Sequence, residues 1–197
     1  LIYNASEIAD SSYSSSESGK QIPVNITASD NVEYFSRKNQ AVFNGNVVGT
    51  RIEQQADSIT RNNLYGDKLI VDLNSSDKMS GGSSIRHLTV LGEEVILDSE
   101  KKAGEKILSK TKLFCDHLDY DSDMEMLTAT GPGKIEINNA NSPARQNDSA
   151  ADMSLGGPCY AWIENFDFLE WSTSSNRVVA DAASESMIMQ YVPLVDG

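Results

Sequence analysis

The residues best suited to acid–base or metal chemistry in this chain are two histidines, His87 and His117. They have no H-x-x-x-H spacing, and the two cysteines have no C-x-x-C spacing. Closely spaced ligand pairs of those kinds are typical of structural zinc sites. We therefore predict no metal site and interpret each histidine as an ordinary strand residue.

A run of acidic residues, Asp119, Asp121, Asp123 and Glu125, places a carboxylate at every second position. A calcium loop also uses alternating oxygen ligands, but it has a central glycine and a terminal glutamate that this run lacks at the required positions. Alternating carboxylates beside a hairpin turn explain the run equally well, so we predict no calcium site.

No G-x-S-x-G nucleophile elbow and no P-loop occurs in the sequence. A carboxylate pair that hydrolyses glycosides stays open, because its signature is a separation in space rather than in sequence. We predict no catalytic residue, no cofactor and no enzymatic activity. An enzyme is therefore the third hypothesis, after the two non-enzymatic functions described below.

The two cysteines, Cys115 and Cys159, each fall at the predicted start of a strand. In an exported protein such a pair can form a disulfide, whereas in the cytosol both thiols stay reduced. The sequence alone leaves both states open.

Charge and length limit the classes of partner. The 197 residues contain 16 lysines and arginines against 29 acidic residues, a net charge of −13. That balance argues against a nucleic-acid partner, which needs basic residues along the phosphate backbone, and against docking on anionic membranes. No apolar run reaches the length of a transmembrane helix, and no signal-like segment opens the chain. We expect an exported protein whose signal has been removed or whose anchor lies outside this chain.

Two parts of the organisation are visible in the composition. Residues 1–20 are rich in serine and predict a flexible N-terminal segment. Residues 21–197 predict a single all-β domain, because short alternating apolar segments are separated by glycine, asparagine and serine clusters. Within it, residues 99–110 predict a mobile hairpin tip and residues 139–157 a long loop.

The β region contains an internal repeat, Asp-x-apolar-x-apolar. Its period of two places both apolar side chains on one face of a strand. The copies are Asp30-x-Val32-x-Tyr34, Asp67-x-Leu69-x-Val71, Asp116-x-Leu118-x-Tyr120 and Asp167-x-Leu169-x-Trp171.

A second apolar segment with a glycine follows each of the first three aspartates. The glycine stands 15 positions after Asp30 and Asp116 and 25 positions after Asp67, while the fourth copy has alanine in its place. We predict a pair of strands joined by a glycine turn, with the aspartate accepting backbone N–H bonds at a turn. Stacked pairs of this kind build a continuous apolar interior.

This pattern resembles the repeat of the OstA-like proteins of lipopolysaccharide transport. The best match runs from Cys115-Asp116-His117-Leu118-Asp119-Tyr120-Asp121 through Thr128-Ala129-Thr130-Gly131-Pro132-Gly133-Lys134-Ile135, and a looser one covers about residues 25–192. The resemblance implies an open antiparallel β-jelly roll in the periplasm. It also implies lipopolysaccharide or a related glycolipid as ligand, and partner jelly rolls joined by edge-strand pairing.

The resemblance further implies that acyl chains lie in an apolar trough lined by one residue set. The predicted lipid-binding residues are Val32, Tyr34, Phe43, Val47, Leu69, Val71, Leu118, Tyr120, Ile135, Leu169 and Trp171. Basic groups at the mouth of the trough would come from Arg51, Arg61 and Lys68.

The alternative is an extracellular structural or carbohydrate-binding β-module in which the same residues form a closed core. Two tryptophans, Trp162 and Trp171, and seven tyrosines could supply an aromatic surface for sugars. An open trough favours the carrier, and an aromatic shelf on the outer face favours sugars.

Overall fold

The structure is a computed structural model, and it describes most of the β region. The described residues are 24–55, 57–74, 85–140, 158–172, 175, 177–182 and 187–193. The predicted N-terminal segment 1–20 and nearly all of the predicted loop 139–157 lie outside them.

The described part of the chain contains strands and turns and no helix. Six long strands of 14 to 19 residues are flanked by short strands at either end. The strands are β1 (Val24–Thr27), β2 (Asn31–Phe35), β3 (Gln40–Gln54), β4 (Ile59–Leu73), β5 (Ile85–Ala103), β6 (Lys106–Asp121), β7 (Met126–Asn139), β8 (Cys159–Ser172), β9 (Arg177–Asp181) and β10 (Ile188–Pro193).

All ten strands belong to one antiparallel sheet, in which β3 to β8 follow one another in chain order. Each edge of the sheet is a strand in two pieces. At one edge β1 and β2 both pair with β3, and at the other β9 and β10 both pair with β8. The edges do not pair with each other among the described strands, so the sheet is open.

Every long strand pair has an irregularity near its middle. The register shifts fall at Asn44/Val47, Tyr65/Lys68, Leu91/Val95, Phe114/His117 and Thr130/Gly133. A bulge bends its strand and increases the local twist. Because the bulges lie side by side across the sheet, they form one line along which the whole sheet folds over.

Side chains close to that line are fully buried on one face, which we call the inner face. Leu69, Leu113 and Ile135 have no exposed surface although they lie on different halves of the strands. A single flat layer would leave such a face in water, so the two halves must cover each other. The prediction of an open antiparallel β-jelly roll is confirmed.

The strands are longer than the repeat suggested. Gly45, Gly92 and Gly131 lie within β3, β5 and β7 and do not join separate strands. Each lies at the line of bulges along which the sheet folds over, which we call the fold line. The predicted turns at these glycines are therefore bends within single strands. Residues 99–110 likewise form the ends of β5 and β6, with only a two-residue turn at Gly104 and Glu105.

The two cysteines are free, and both are buried. Cys159 pairs with Asn139, which pairs with Ser109, and Ser109 stands six positions before Cys115 on β6. At about 3.3 Å per residue the cysteines are separated by roughly 20 Å along the strand. A disulfide needs Cα atoms within about 7 Å of each other. The open question of a disulfide is thus decided against pairing, and Cys115 lies in the middle of β6 rather than at its start.

Candidate functional site

Antiparallel pairing aligns the inner-face residues into rows that cross the sheet. Residues directly opposite each other point to the same face. One row lies just beyond the fold line and is apolar in all eight strands that it crosses. It consists of Val32, Phe43, Leu69, Val90, Leu118, Ala129, Leu169 and Ala180.

A second row lies two residues further from the fold line, at one margin of the folded sheet. It is again apolar or aromatic throughout, and we call it the Trp171 rim. It consists of Tyr34, Ala41, Val71, Leu88, Tyr120, Leu127, Trp171 and Val178.

A third row crosses the other half of the sheet and faces the first two. Leu113 and Ile135 in its middle have no exposed surface, and Leu64 and Leu97 pack against the same core. The row consists of Ile26, Gly49, Leu64, Leu97, Leu113, Ile135, Ile163 and Met189. Together the three rows form a trough that is apolar on both walls.

The predicted lipid-binding residues all lie on this inner face, at three depths. Val47, Leu69, Val71, Leu118, Ile135 and Leu169 are buried. Phe43, Tyr120 and Trp171 are half-buried and pack against that core. Val32 and Tyr34, on the edge strand β2, are exposed, at 46% and 60%. The deepest part of the trough is filled with side chains, and its margins are open.

Several inner-face residues were missed from the sequence. Val90, Val95, Leu113 and Phe166 are as buried as any predicted residue. The period-2 pattern of Leu88 and Val90 could have revealed one of them. The others are hidden by the bulges, which shift the alternation by a residue and thereby break the pattern.

Trp171 differs chemically from its neighbours in the trough. Its indole Nε1 is buried and has no hydrogen-bond partner among the described residues. A buried N–H without an acceptor costs stability. The other tryptophan, Trp162, occupies the opposite face of the same sheet, across from Glu136 and Gln190.

Cys115 and Cys159 also point into the trough. Burial, and then the charge of Asp116, raise the pKa of the Cys115 thiol to about 12. Burial raises the pKa of Cys159 as well. Since the thiolate is the reactive form, neither side chain is suited to nucleophilic chemistry near neutral pH.

The two histidines meet on the outer face around one carboxylate, Asp119. His87 Nε2 lies 3.6 Å from Asp119 Oδ1. His117 Nε2 lies 2.8 Å from Asp119 Oδ2, but the geometry of this contact is not that of a hydrogen bond. Thr89 Oγ1 donates a 2.6 Å hydrogen bond to Oδ1. This convergence depends on the register of β5 on β6, so the spacing of the two histidines in the sequence could not predict it.

Beside this cluster is a shallow cavity of about 270 Å³ lined by His87, Asp119, Asp121, Met124, Met126 and Thr128. Within the described part of the chain, no group of three or more histidine, cysteine and acidic side chains is arranged to hold a metal ion. The acidic run instead closes the β6–β7 turn, where Asp121 Oδ1 accepts hydrogen bonds from the N–H groups of Asp123 and Met124.

The outer face also contains an aromatic pair. The rings of Tyr160 and Trp162 on β8 are 5.2 Å apart between centroids and are tilted by 51°. Both are half-buried and lie next to β10. Three basic residues were expected at the mouth of the trough, Arg51, Arg61 and Lys68. In the pairing of β3 with β4, Arg61 lies opposite Ile52 and Lys68 lies opposite Asn44, which places both on the outer face. Both side chains therefore point away from the inner face, and only Arg51 lies on it.

Comparisons with known proteins agree with this architecture and leave the family open. No family model matches the chain, and no curated protein is similar enough to match. Ten chains of solved structures match. One is the crystal structure of LptH from Pseudomonas aeruginosa, described as the LptA homologous periplasmic component of the conserved lipopolysaccharide transport device. It has a TM-score of 0.54 and 17% sequence identity, and the match covers 88% of this chain and 96% of that one. The likeness establishes a shared fold.

No helix of the described residues has the length and apolarity needed to cross a membrane.

Proposed function

We propose that this chain is a non-enzymatic periplasmic carrier or bridge for lipopolysaccharide or a related glycolipid, and that it holds acyl chains in the trough. The observation that carries the proposal is the pair of uninterrupted apolar rows across the open sheet, one containing Leu118 and the other Trp171. A closed core needs no half-buried aromatic margin, whereas a lipid carrier needs accessible apolar surface.

The acyl chain would lie along the margins of the trough. Tyr120 and Trp171 are half-buried there, and Phe43 is half-buried in the neighbouring row, so a chain that covers them removes further apolar surface from water. Each square ångström covered contributes about 25 cal/mol. Buried residues such as Leu69 contact a chain only if the two walls move apart, and their primary role is to hold the walls together.

Both edges of the sheet are suited to pairing with related jelly rolls. An exposed edge strand presents unpaired N–H and C=O groups, and a strand from another protein can add to it. Here the edge strands also expose apolar side chains. These are Val24, Val32, Tyr34 and Phe35 at one edge and Val179, Ile188, Met189 and Val192 at the other.

The LptH structure supports this proposal from outside the chain. That protein is a periplasmic component of a lipopolysaccharide transport device, and its fold covers nearly all of the present one. The same comparison supports a periplasmic location and a transport role without catalysis.

The two tryptophans allow a direct test of where the acyl chain lies. We would prepare Trp162→Phe and Trp171→Phe, each of which retains one tryptophan, and add a fatty acid brominated in mid-chain. Bromine quenches indole fluorescence only at short range. We expect quenching of Trp171 in the first variant and little quenching of Trp162 in the second.

Lipopolysaccharide itself would then compete with the brominated probe and restore the fluorescence of Trp171. Tyr120→Asp should weaken binding at least tenfold, since a charge at a half-buried position of the trough repels an apolar chain. Phe168→Asp, on the outer face and 41% exposed, is the matched control. Equal quenching of both tryptophans, or no competition, would contradict the carrier function.

The Tyr160–Trp162 pair favours one alternative, a carbohydrate-binding module. Aromatic rings on an outer face can stack against sugars through their apolar surfaces. Titration of oligosaccharides against wild type and Trp162→Ala would reveal it. Saturable binding that Trp162→Ala abolishes, together with no acyl binding, would favour this module over the carrier.

A further inference from the structure

The two margins of the trough differ in polarity. The Trp171 rim is apolar or aromatic in every strand. The corresponding row on the facing wall, which we call the Arg51 rim, is polar in four consecutive strands. It consists of Val24, Arg51, Asn62, Ser99, Thr111, Ile137, Ala161 and Tyr191.

The polar part of the Arg51 rim is an ordered group of side chains on the inner face. Ser99 Oγ donates a 2.6 Å hydrogen bond to Asn62 Oδ1. Thr111, at 8% exposure, is the buried polar residue of the described core. Polar side chains at such positions cost free energy unless they are hydrogen-bonded. Four polar side chains thus lie side by side on the inner face of a trough whose other three rows are apolar.

Positive charge is concentrated at the same place. Two residues beyond Ser99, Lys101 lies on the inner face opposite Thr60 and Ser109. Residues 101–112, which form the end of the β5–β6 hairpin, contain five lysines and one acidic residue, in a chain of net charge −13. The end of this hairpin is therefore locally basic, and it lies beside the Arg51 rim, where Ser99 pairs with Thr111.

We propose that the Arg51 rim binds the anionic head group of an amphiphile whose acyl chain lies in the trough, with Arg51 and Lys101 contacting a phosphate. This inference rests on the proposed carrier function and adds the orientation of the cargo. The chain extends from the Arg51 rim toward the Trp171 rim. Asn62 and Ser99 supply uncharged hydrogen-bonding groups beside the phosphate.

Two residues beyond Arg51 on the same strand, Glu53 forms an ion pair with Arg51 over 2.5 Å. A guanidinium has five N–H donors and can bind a second anion while it keeps the first. Glu53 also holds the guanidinium of an otherwise exposed side chain at the rim. A phosphate can therefore bind Arg51 without breaking the ion pair.

The test compares two amphiphiles that share a twelve-carbon chain. Dodecyl phosphate has an anionic head and dodecyl maltoside a neutral one, and both would be titrated as monomers by calorimetry. For Arg51→Gln/Lys101→Gln we expect about a tenfold loss of affinity for dodecyl phosphate, as is typical for charge-assisted contacts. Affinity for dodecyl maltoside should stay within twofold of wild type.

The matched control is Arg61→Gln/Lys110→Gln. These residues are neighbours of Glu100 on the outer face of the same strand ends, so the change of net charge is identical. A loss as large in the control would show that general charge attraction, and not the Arg51 rim, binds the phosphate. Inorganic phosphate should bind at least a hundredfold more weakly than dodecyl phosphate. Equal affinity would make the rim a site for free phosphate and overturn the proposal.

The outcomes separate this inference from the function on which it rests. If both amphiphiles bind and the Arg51→Gln/Lys101→Gln variant weakens neither, the trough binds chains and the orientation is wrong. If neither amphiphile binds wild type, the carrier function fails and the head-group site fails with it.

Discussion

The carboxylate of Asp116 lies directly over Gly131 on the neighbouring strand, so close that a β-carbon on Gly131 would fall 2.5 Å from Asp116 Oδ2. The same relationship joins Asp67 to Gly92, where the oxygen would be 3.1 Å away, and Asp30 to Gly45. In the first three copies of the repeat, the aspartate thus packs on the glycine that follows it in the sequence. These contacts lie on the fold line, where the missing side chain lets one strand approach the other.

Gly131→Ala should destabilise the fold strongly. Gly131 has φ of +113°, which L side chains rarely adopt, and the new methyl group would collide with Asp116. We expect a loss of at least about 2 kcal/mol in the free energy of unfolding, measured by urea denaturation.

Two other glycines separate these causes. Gly104 has a φ of +58°, but the methyl group of Gly104→Ala would point into open space. The methyl group of Gly49→Ala would make only an ordinary contact with Leu64, at 3.6 Å. We expect about 1 kcal/mol for the first and little change for the second. A cost at Gly131 no larger than that at Gly104 would show that the Asp116 contact does not matter.

Asp67 should stabilise the bend through a hydrogen bond. Its Oδ2 accepts from the backbone N–H of Glu93 over 3.0 Å, next to Gly92. Asp67→Ala removes the acceptor and should cost about 1 kcal/mol, whereas Asp67→Asn keeps an oxygen there and should cost less. Thermal unfolding of both variants tests this order. Equal losses of stability would mean that the charge of Asp67, and not its hydrogen bond, stabilises the bend.

The repeat predicted the inner face well because alternation along a strand is a local property. All eleven predicted trough residues lie on that face, and the aspartates lie at bends where one accepts a backbone N–H bond. Strand length was not predictable in the same way. Gly45, Gly92 and Gly131 have the chemistry of turns, and only pairing with a neighbouring strand shows that they are bends inside strands.

Features that depend on register were hidden from the sequence. His87 and His117 are 30 positions apart and meet only because β5 pairs with β6 as it does around Asp119. Arg51 and Lys101 likewise reach the same margin through two intervening strand pairings. Sequence spacing carries no information about such contacts, since register is set by bulges and packing.

Phe166 and Phe168 should differ sharply in their contribution to stability. Phe166 has no exposed surface and its ring lies over Gly133, whereas Phe168, two residues along β8, is 41% exposed. Phe166→Ala should cost about 3–5 kcal/mol through lost burial and the resulting cavity. Phe168→Ala should cost less than about 1 kcal/mol. Similar costs in urea denaturation would contradict the assignment of inner and outer faces.

Cys115 should make the fold sensitive to alkaline pH. Burial, and then the neighbouring charge of Asp116, raise the pKa of its thiol from 9.0 to about 12 in the folded state. Between these two values the unfolded chain loses this proton and the folded chain keeps it, so the unfolded state is favoured. The contribution of the protonated Cys115 thiol to the free energy of unfolding is fully present below pH 9.0 and is lost as the pH rises toward about 12.

The slope from this one thiol reaches at most about 1.4 kcal/mol per pH unit. Other groups titrate in the same range, so the measurement compares wild type with Cys115→Val, which keeps a buried apolar side chain of similar size. Urea denaturation at several pH values above 9.0 should show a shallower decline for the variant. Parallel declines would mean that the thiol ionises equally in both states, and Cys115 would then lie in water rather than in the wall of the trough.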